Sequence, residues 1–244
     1  LSRGLGDVYK RQDVILVSNY SMKEELEQSL KSNNYKFHDL MIQDINHIER
    51  YPIDDEYKTI IIQSANAIKK IDSSNNHIYN AKYIYGIGPN CRTWVQRKFS
   101  LGCIIPEHDY SSSGLIEKIK QDKYELGKTL LLKGIGGKTT IQNFLESENL
   151  DHNVCNVYER VLNEDILHSV TEMIENGAVV IAFSKSSVEP LLDNSDINLD
   201  RVHFIVLDKS DEEIKCDKDI ASMTKLVDIY DIPDIVEKIK AITK

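Results

Sequence analysis

Glycine, proline and tryptophan are scarce in this chain, at 11, 5 and 1 of 244 residues. That excludes collagen-like and low-complexity classes, and it makes any cluster of glycines informative. Cysteine is confined to Cys91, Cys103, Cys155 and Cys216, without a CxxC pair, and the seven histidines form no HxxxH or HxH pattern. Ribbon and helix-borne zinc motifs are thereby excluded, and the expectation is a reduced, cytoplasmic protein with no metal and no cofactor. No apolar run approaches the ~20 residues a bilayer span needs, so no membrane partner is expected. An excess of positive charge is missing too. Thirty Lys and Arg face 39 Asp and Glu, a net charge of −9, which argues against nucleic acid as a partner. What remains is 41% hydrophobic and 28% charged residues, a globular composition long enough for one large or two modest domains.

Residues 1–12 do not share the strand-and-helix rhythm of the rest of the chain, and they match neither a signal peptide nor a basic amphipathic transit helix. They are expected to be a non-native remnant, with the fold beginning near Asp13.

The most informative stretch is Leu130 to Val161. An apolar strand, Leu130-Leu131-Leu132, runs into Lys133-Gly134-Ile135-Gly136-Gly137-Lys138 and then a helical pattern from about Lys138 to Asn149. Glycines at 134, 136 and 137 permit a sharp turn whose amides, with a helix N-terminus behind them, would hold an anion. Two nucleotide motifs fail on spacing. A GxxxxGK[ST] loop ending at Gly137-Lys138-Thr139 would need glycine at Leu132, and a GxGxxG loop from Gly134 or Gly86 meets Thr139 or Cys91 at its third glycine. A ligand-free strand-to-helix turn stands beside the anion reading.

Short strings recur in order along the chain. Ile15-Leu16-Val17 and Leu30–Asn34 match Leu130–Leu132 and Leu145–Asn149 at an offset of 115. Ile61–Ile68 and Leu115–Ile119 match Ile181–Val188 and Ile235–Ile239 at 120, pointing to a duplicated unit. Strands are expected near 14–18, 36–42, 58–63, 82–87, 102–105, 129–133, 153–159, 178–183, 202–207 and 226–229. Helices are expected near 21–33, 65–71, 89–99, 112–122, 137–149, 163–176, 185–192 and 232–243. This alternation, with unbroken apolar strands such as Ala178–Phe183, implies an α/β fold of parallel sheets flanked by helices. Ligands of such sheets sit beyond the carboxyl ends of the strands, where Ser64, Gly86–Cys91, Gly134–Lys138, Ser184 and Ser210 fall. Ser64 and Ser184 could equally serve as helix caps, and Tyr158 could be a packing residue.

The order of these turns resembles the uroporphyrinogen-III synthase family. Gly134-x-Gly136-Gly137-Lys138 followed by Tyr158 is similar to the family's RGxGGR…Y segment, and Gln63-Ser64-Ala65-Asn66-Ala67-Ile68 to its TSxNAV turn. Phe183–Val188 is similar to FTSPSAV, Tyr85–Cys91 to AVGxxT, and Ser113-Gly114-Leu115 to the SEGL helix start. The chain departs from the family at Asn19, where an arginine is usual, at Cys91 in place of threonine, and at Asp208, where a glycine is lost.

The resemblance implies two similar domains, each a parallel sheet flanked by helices, joined by two extended linker strands. It divides them as 13–37 plus 156–244 and 41–152, with the cleft between them as the natural site. It implies a cofactor-independent lyase that closes the linear tetrapyrrole hydroxymethylbilane with inversion of its last ring. Tyr158 is the implied catalytic residue. Ser18, Ser64, Asn66, Gly88, Asn90, Cys91, Gly134, Gly136, Gly137, Lys138, Ser184, Lys185 and Ser186 are the implied substrate contacts. A monomer is expected, with transient contact to the preceding pathway enzyme. A tetrapyrrole or small-anion binding protein without activity on the same fold is the alternative.

Overall fold

The computed structural model describes residues 13–18, 22–49, 53, 55–207 and 218–243. The expectations for 1–12, Asn19, Asp208, Ser210 and Cys216 lie outside the described residues.

The chain forms two compact units. One comprises the described residues up to Asp44 together with those from Leu162 onward, and the other is Ile45–Val161. In the first, β1 (Asp13–Leu16), β2 (Lys36–Asp39), β8 (Ala178–Ala182), β9 (Val202–Leu207) and β10 (Ser222–Leu226) make a sheet of order β10-β9-β8-β1-β2. Every pairing in it is parallel. Helices α1 (Lys23–Ser32), α7 (Glu164–Ile174), α8 (Lys185–Leu192) and α9 (Ile232–Ile242) belong to this unit. The second unit's sheet has the order β3-β7-β6-β4-β5, from β3 (Gln43–His47), β4 (Thr59–Ile62), β5 (Tyr83–Gly86), β6 (Thr129–Gly134) and β7 (His152–Leu162). Its helices are α2 (Asn66–Lys69), α3 (Asn76–Tyr79), α4 (Pro89–Phe99), α5 (Ser112–Asp122) and α6 (Thr140–Ser147).

Strands β4, β5, β6 and β7 are parallel. The edge strand β3 runs the other way. Asn163 donates its amide to Ile42 and Ile48 donates to Val157, so one partner number falls as the other rises. β3 was not expected from the sequence, because its residues Gln-Asp-Ile-Asn-His carry a single aliphatic side chain and an edge strand needs no more. The expected division placed 156–161 with the first domain. Those residues instead continue β7, which stays paired with β6 as far as Tyr158.

The sequence of each element explains its place. Thr59–Ile62 and Ala178–Ala182 are buried throughout because helices cover both faces. Ile60 and Ile62 pack into one core and Ile61 into the opposite one; Ile15 and Leu16 divide likewise in the first unit. Each such side chain contributes about 1.5–3 kcal/mol on burial. The buried hydroxyl of Thr59 donates to the Leu126 carbonyl at 2.6 Å. α4 opens with Pro89 in its first turn and ends at Ser100, whose φ of 57° closes the helix. α5 starts on Ser111, whose hydroxyl accepts the Gly114 amide. Gly114 must lack a side chain there, since a Cβ would lie 2.1 Å from the Asp109 carbonyl oxygen.

Three expectations are corrected. The strand near 102–105 is reduced to one parallel bridge, Tyr85 to Ile104, confined between Gly102 and Pro106. The last strand runs over 222–226 rather than 226–229, and Val227, expected inside it, is 88% exposed. The repeat read at offsets of 115 and 120 aligns β1 with β6 and β4 with β8, which hold different sheet positions. The equivalent pieces are instead β1-β2 with β4-β5, and β8-β9 with β6-β7.

Candidate functional site

Each sheet reverses its direction of winding once. In the first, β1 leads to β2 on one side while β8, β9 and β10 extend on the other; in the second, β4 leads to β5 while β6 and β7 extend oppositely. The crevice beyond the carboxyl ends of such a strand pair is where doubly wound sheets bind ligands. The expected residues fall there in both units.

In the first unit, Ser18 follows β1 and Ser184, Lys185 and Ser186 follow β8, its neighbour. Ser18 is buried and its Oγ accepts the Phe183 amide at 2.8 Å, joining the two strand ends. Ser184 occupies the N-cap of α8 without a capping bond to the backbone. Its hydroxyl lies 2.6 Å from that of Ser187 and 3.3 Å from that of Ser186, a cluster of small hydroxyls at the helix start. Lys185 pairs with Glu189 at 3.4 Å.

In the second unit, Ser64 and Asn66 follow β4, Gly88, Asn90 and Cys91 follow β5, and Gly134–Lys138 follow β6. The Ser64 hydroxyl accepts the Asn66 amide at 3.2 Å, and Asn66 Oδ1 accepts Lys69 Nζ at 2.8 Å. Gly88 is buried against Tyr110, and Asn90 is exposed in the first turn of α4. Cys91 points inward, with Sγ 3.8 Å from the Ile62 carbonyl, and burial pushes its thiol up to about 11. It therefore fills the strand end from within.

The glycine turn differs from its expected form. α6 begins at Thr140 rather than near Lys138. Gly136 takes φ of 67°, the Gly137 amide donates to the Gly134 carbonyl, and the Ile135 amide donates to the Tyr158 carbonyl. Lys133 Nζ donates to the carbonyls of Gly137 and Lys138 at 2.8 and 2.9 Å. Gln63 Nε2 donates to the Lys138 carbonyl at 2.9 Å. Lys133 and Gln63 were not among the expected residues. The signal available was a lysine closing an otherwise apolar strand just before the first glycine.

Tyr158 lies in β7, its ring 3% exposed and stacked over Gly134. Its hydroxyl has no hydrogen-bond partner among the described residues. The His47 ring lies 6.4 Å away and the Arg160 guanidinium lies 5.6 Å from the ring centroid. Burial, with the charges of Lys70, Lys69 and Lys98, lowers the pKa of His47. These lysines make the surroundings of His47 locally positive in an acidic protein. A cavity of about 620 Å³ beside the β5 edge, lined by Lys82, Arg92 and Cys103 among others, contains none of the expected residues. The candidate site is therefore defined by strand-end placement and not by this cavity. Among the described residues no acidic, histidine or cysteine cluster could hold a metal ion, and no helix is long and apolar enough to cross a membrane.

Two units, each built on a doubly wound, mainly parallel sheet with small polar turns at its switch point, define a two-domain α/β protein. The family described as uroporphyrinogen-III synthase HemD matches residues 29–208, and the chain belongs to it, a family of heme-biosynthesis enzymes. Among curated proteins none matches the chain. Among solved structures it is similar to a mutant uroporphyrinogen III synthase from the extremely thermophilic bacterium Thermus thermophilus, at 11% identity and a TM-score of 0.58, covering 95% of this chain and 98% of that one. It is also similar to uroporphyrinogen-III synthetase from Helicobacter pylori, at 12% identity and a TM-score of 0.50, covering 93% and 99%. At these identities the likeness is one of fold.

Proposed function

We propose that this protein is a uroporphyrinogen-III synthase. It takes hydroxymethylbilane, a linear tetrapyrrole with acetate and propionate side chains, and releases the cyclic isomer whose ring D is inverted. The observation that carries this reading is the presence of polar turns at the switch points of both sheets, in a chain of this family.

The hydroxyl of the substrate leaves with a proton as water, giving an azafulvene. Ring D attacks it through its already substituted carbon, and the resulting spiro intermediate opens and recloses with the ring reversed. Without a protein the chain closes directly to the uninverted isomer, so the task is mainly one of orientation. The turns at Gly134–Lys138, Gly88–Cys91, Ser64–Asn66 and Ser184–Ser186, with Ser18, would grip carboxylates through fixed dipoles that need little reorganisation. Tyr158 is the candidate proton donor to the departing hydroxyl. The closeness of its ring to Gly134 supports that role, since it places the phenol beside the turn that would bind substrate.

The test is incubation of purified protein with fresh hydroxymethylbilane, without added metal or nucleotide, followed by separation of the uroporphyrin isomers. The inverted isomer should dominate. A ratio equal to the protein-free control removes the enzyme reading and leaves binding of a tetrapyrrole or small anion.

A further inference from the structure

Lys133 is the last residue but one of β6, a strand buried throughout, and is itself only 6% exposed. An ammonium has three protons to donate and no acceptor. Two go to the carbonyls of Gly137 and Lys138. The second of these carbonyls also accepts from Gln63, the residue after β4, so the 138–139 peptide is held by two side chains at once. In a planar trans peptide the carbonyl of one residue and the amide of the next point in opposite directions. Drawing in the carbonyls of 137 and 138 therefore turns the amides of Lys138 and Thr139 away from Lys133.

We propose that Lys133 is a positioning residue: from inside the fold, by holding the Lys138 carbonyl, it aims the amide of Thr139 at a substrate carboxylate. This rests on the reading of the substrate as a tetrapyrrole polycarboxylate. The rest of the turn fits the assignment. The Gly137 amide is held by the Gly134 carbonyl and the Ile135 amide by the Tyr158 carbonyl, so backbone bonds fix the turn as far as Gly137 and Lys133 holds the two peptides that follow. Gly136, with φ of 67° and nothing within 4 Å of where a Cβ would stand, supplies the reversal. Burial lowers the pKa of Lys133, as expected where the surroundings offer carbonyl dipoles rather than a carboxylate.

The test compares the full-length wild type with Lys133→Met and Lys133→Arg by amide hydrogen exchange across 134–139 and by steady-state kinetics on hydroxymethylbilane. In Lys133→Met, exchange of those amides should quicken and KM should rise, each by about tenfold or more, while kcat changes little. Lys133→Arg, which can donate to both carbonyls, should recover most of both. Faster exchange with an unchanged KM overturns the positioning role, and unchanged exchange overturns control of the turn. If Lys133→Met does not fold, Lys133→Gln, which keeps an amide donor, must show the same pattern in weaker form or the proposal fails. A wild type inactive on hydroxymethylbilane removes the substrate reading, and with it the carboxylate half of the proposal, while the exchange comparison still decides whether Lys133 governs the turn.

Discussion

A Cβ added to Gly134 would stand 2.5 Å from both Cε2 and Cζ of Tyr158. The two residues are also register partners of β6 and β7, at the point where the pairing shifts between Lys133 and Gly134. The absent side chain at 134 is thus what lets the phenol lie over the turn. Gly134→Ala must push the ring aside, and overpacking of this kind costs about 1–3 kcal/mol. The expected result is a lower melting temperature together with a loss of turnover. A variant with wild-type stability and turnover would show that the ring moves freely and that its position is unimportant.

Tyr158→Phe separates the ring from its hydroxyl. The ring belongs to the buried core of its unit and lies against Gly134, and that packing survives the change. The hydroxyl has no partner among the described residues, so the melting temperature should hardly move. A placed general acid contributes a factor of ~100 to 10,000, and water could replace part of it. A fall in turnover of about tenfold or more is therefore expected. Intact turnover with a lowered melting temperature would assign the residue to packing.

Much of the fold was legible because burial on both faces writes itself plainly. Ala178–Ala182 and Thr59–Ile62 are apolar without alternation, and the structure buries every residue of both. Pro89 and the pattern after it marked α4 to the residue. β3 and the short α3 were not legible, because a polar edge strand and a single helical turn leave little apolar signature. The candidate residues were legible as strand ends, since parallel order puts the carboxyl ends of neighbouring strands on the same side of each sheet. The site's internal wiring was not. Three glycines announce a turn but not which way its peptides face, nor that Lys133 and Gln63, the residue after β4, donate to its carbonyls. The repeat misled because short strings rich in Lys and Ile recur wherever a buried strand precedes an amphipathic helix.

Gly136 offers a cleaner probe of the turn than Gly134. Nothing lies within 4 Å of its Cβ position, so a substitution there meets no neighbour and the cost is that of the left-handed backbone, about 1–2 kcal/mol for an ordinary residue. Gly136→Ala should fold with that modest loss. Gly136→Val, which resists positive φ more strongly, should weaken substrate use severely, by distorting the turn and by blocking approach of a carboxylate. Chemical denaturation and the KM for hydroxymethylbilane measure the two effects separately. If Gly136→Val folds and keeps its KM, the turn is only a turn.

Asp13 gives a prediction on pH. Its Oδ1 lies 2.7 Å from His38 Nε2 and 3.1 Å from Lys36 Nζ, across the β1–β2 pairing that sets Asp13 opposite Lys36. Burial pushes the carboxyl upward, but hydrogen bonds from His38 and Lys36 outweigh it, and the pKa is held below the ordinary aspartate value. A folded pKa below the unfolded one means that the carboxylate stabilises the native state above the unfolded pKa of about 3.9, and that this contribution is lost as pH falls through the folded value. Asp13→Asn should accordingly destabilise the protein at pH 7 by about 0.5–1 kcal/mol, the range for a partly exposed pair. Urea unfolding of both proteins at pH 7 and again near pH 3 measures the gap, which should narrow on acidification because the wild type then loses its charge as well. A gap that stays constant, or widens in acid, would mean that Asp13 acts through the packing of its side chain and not through its charge.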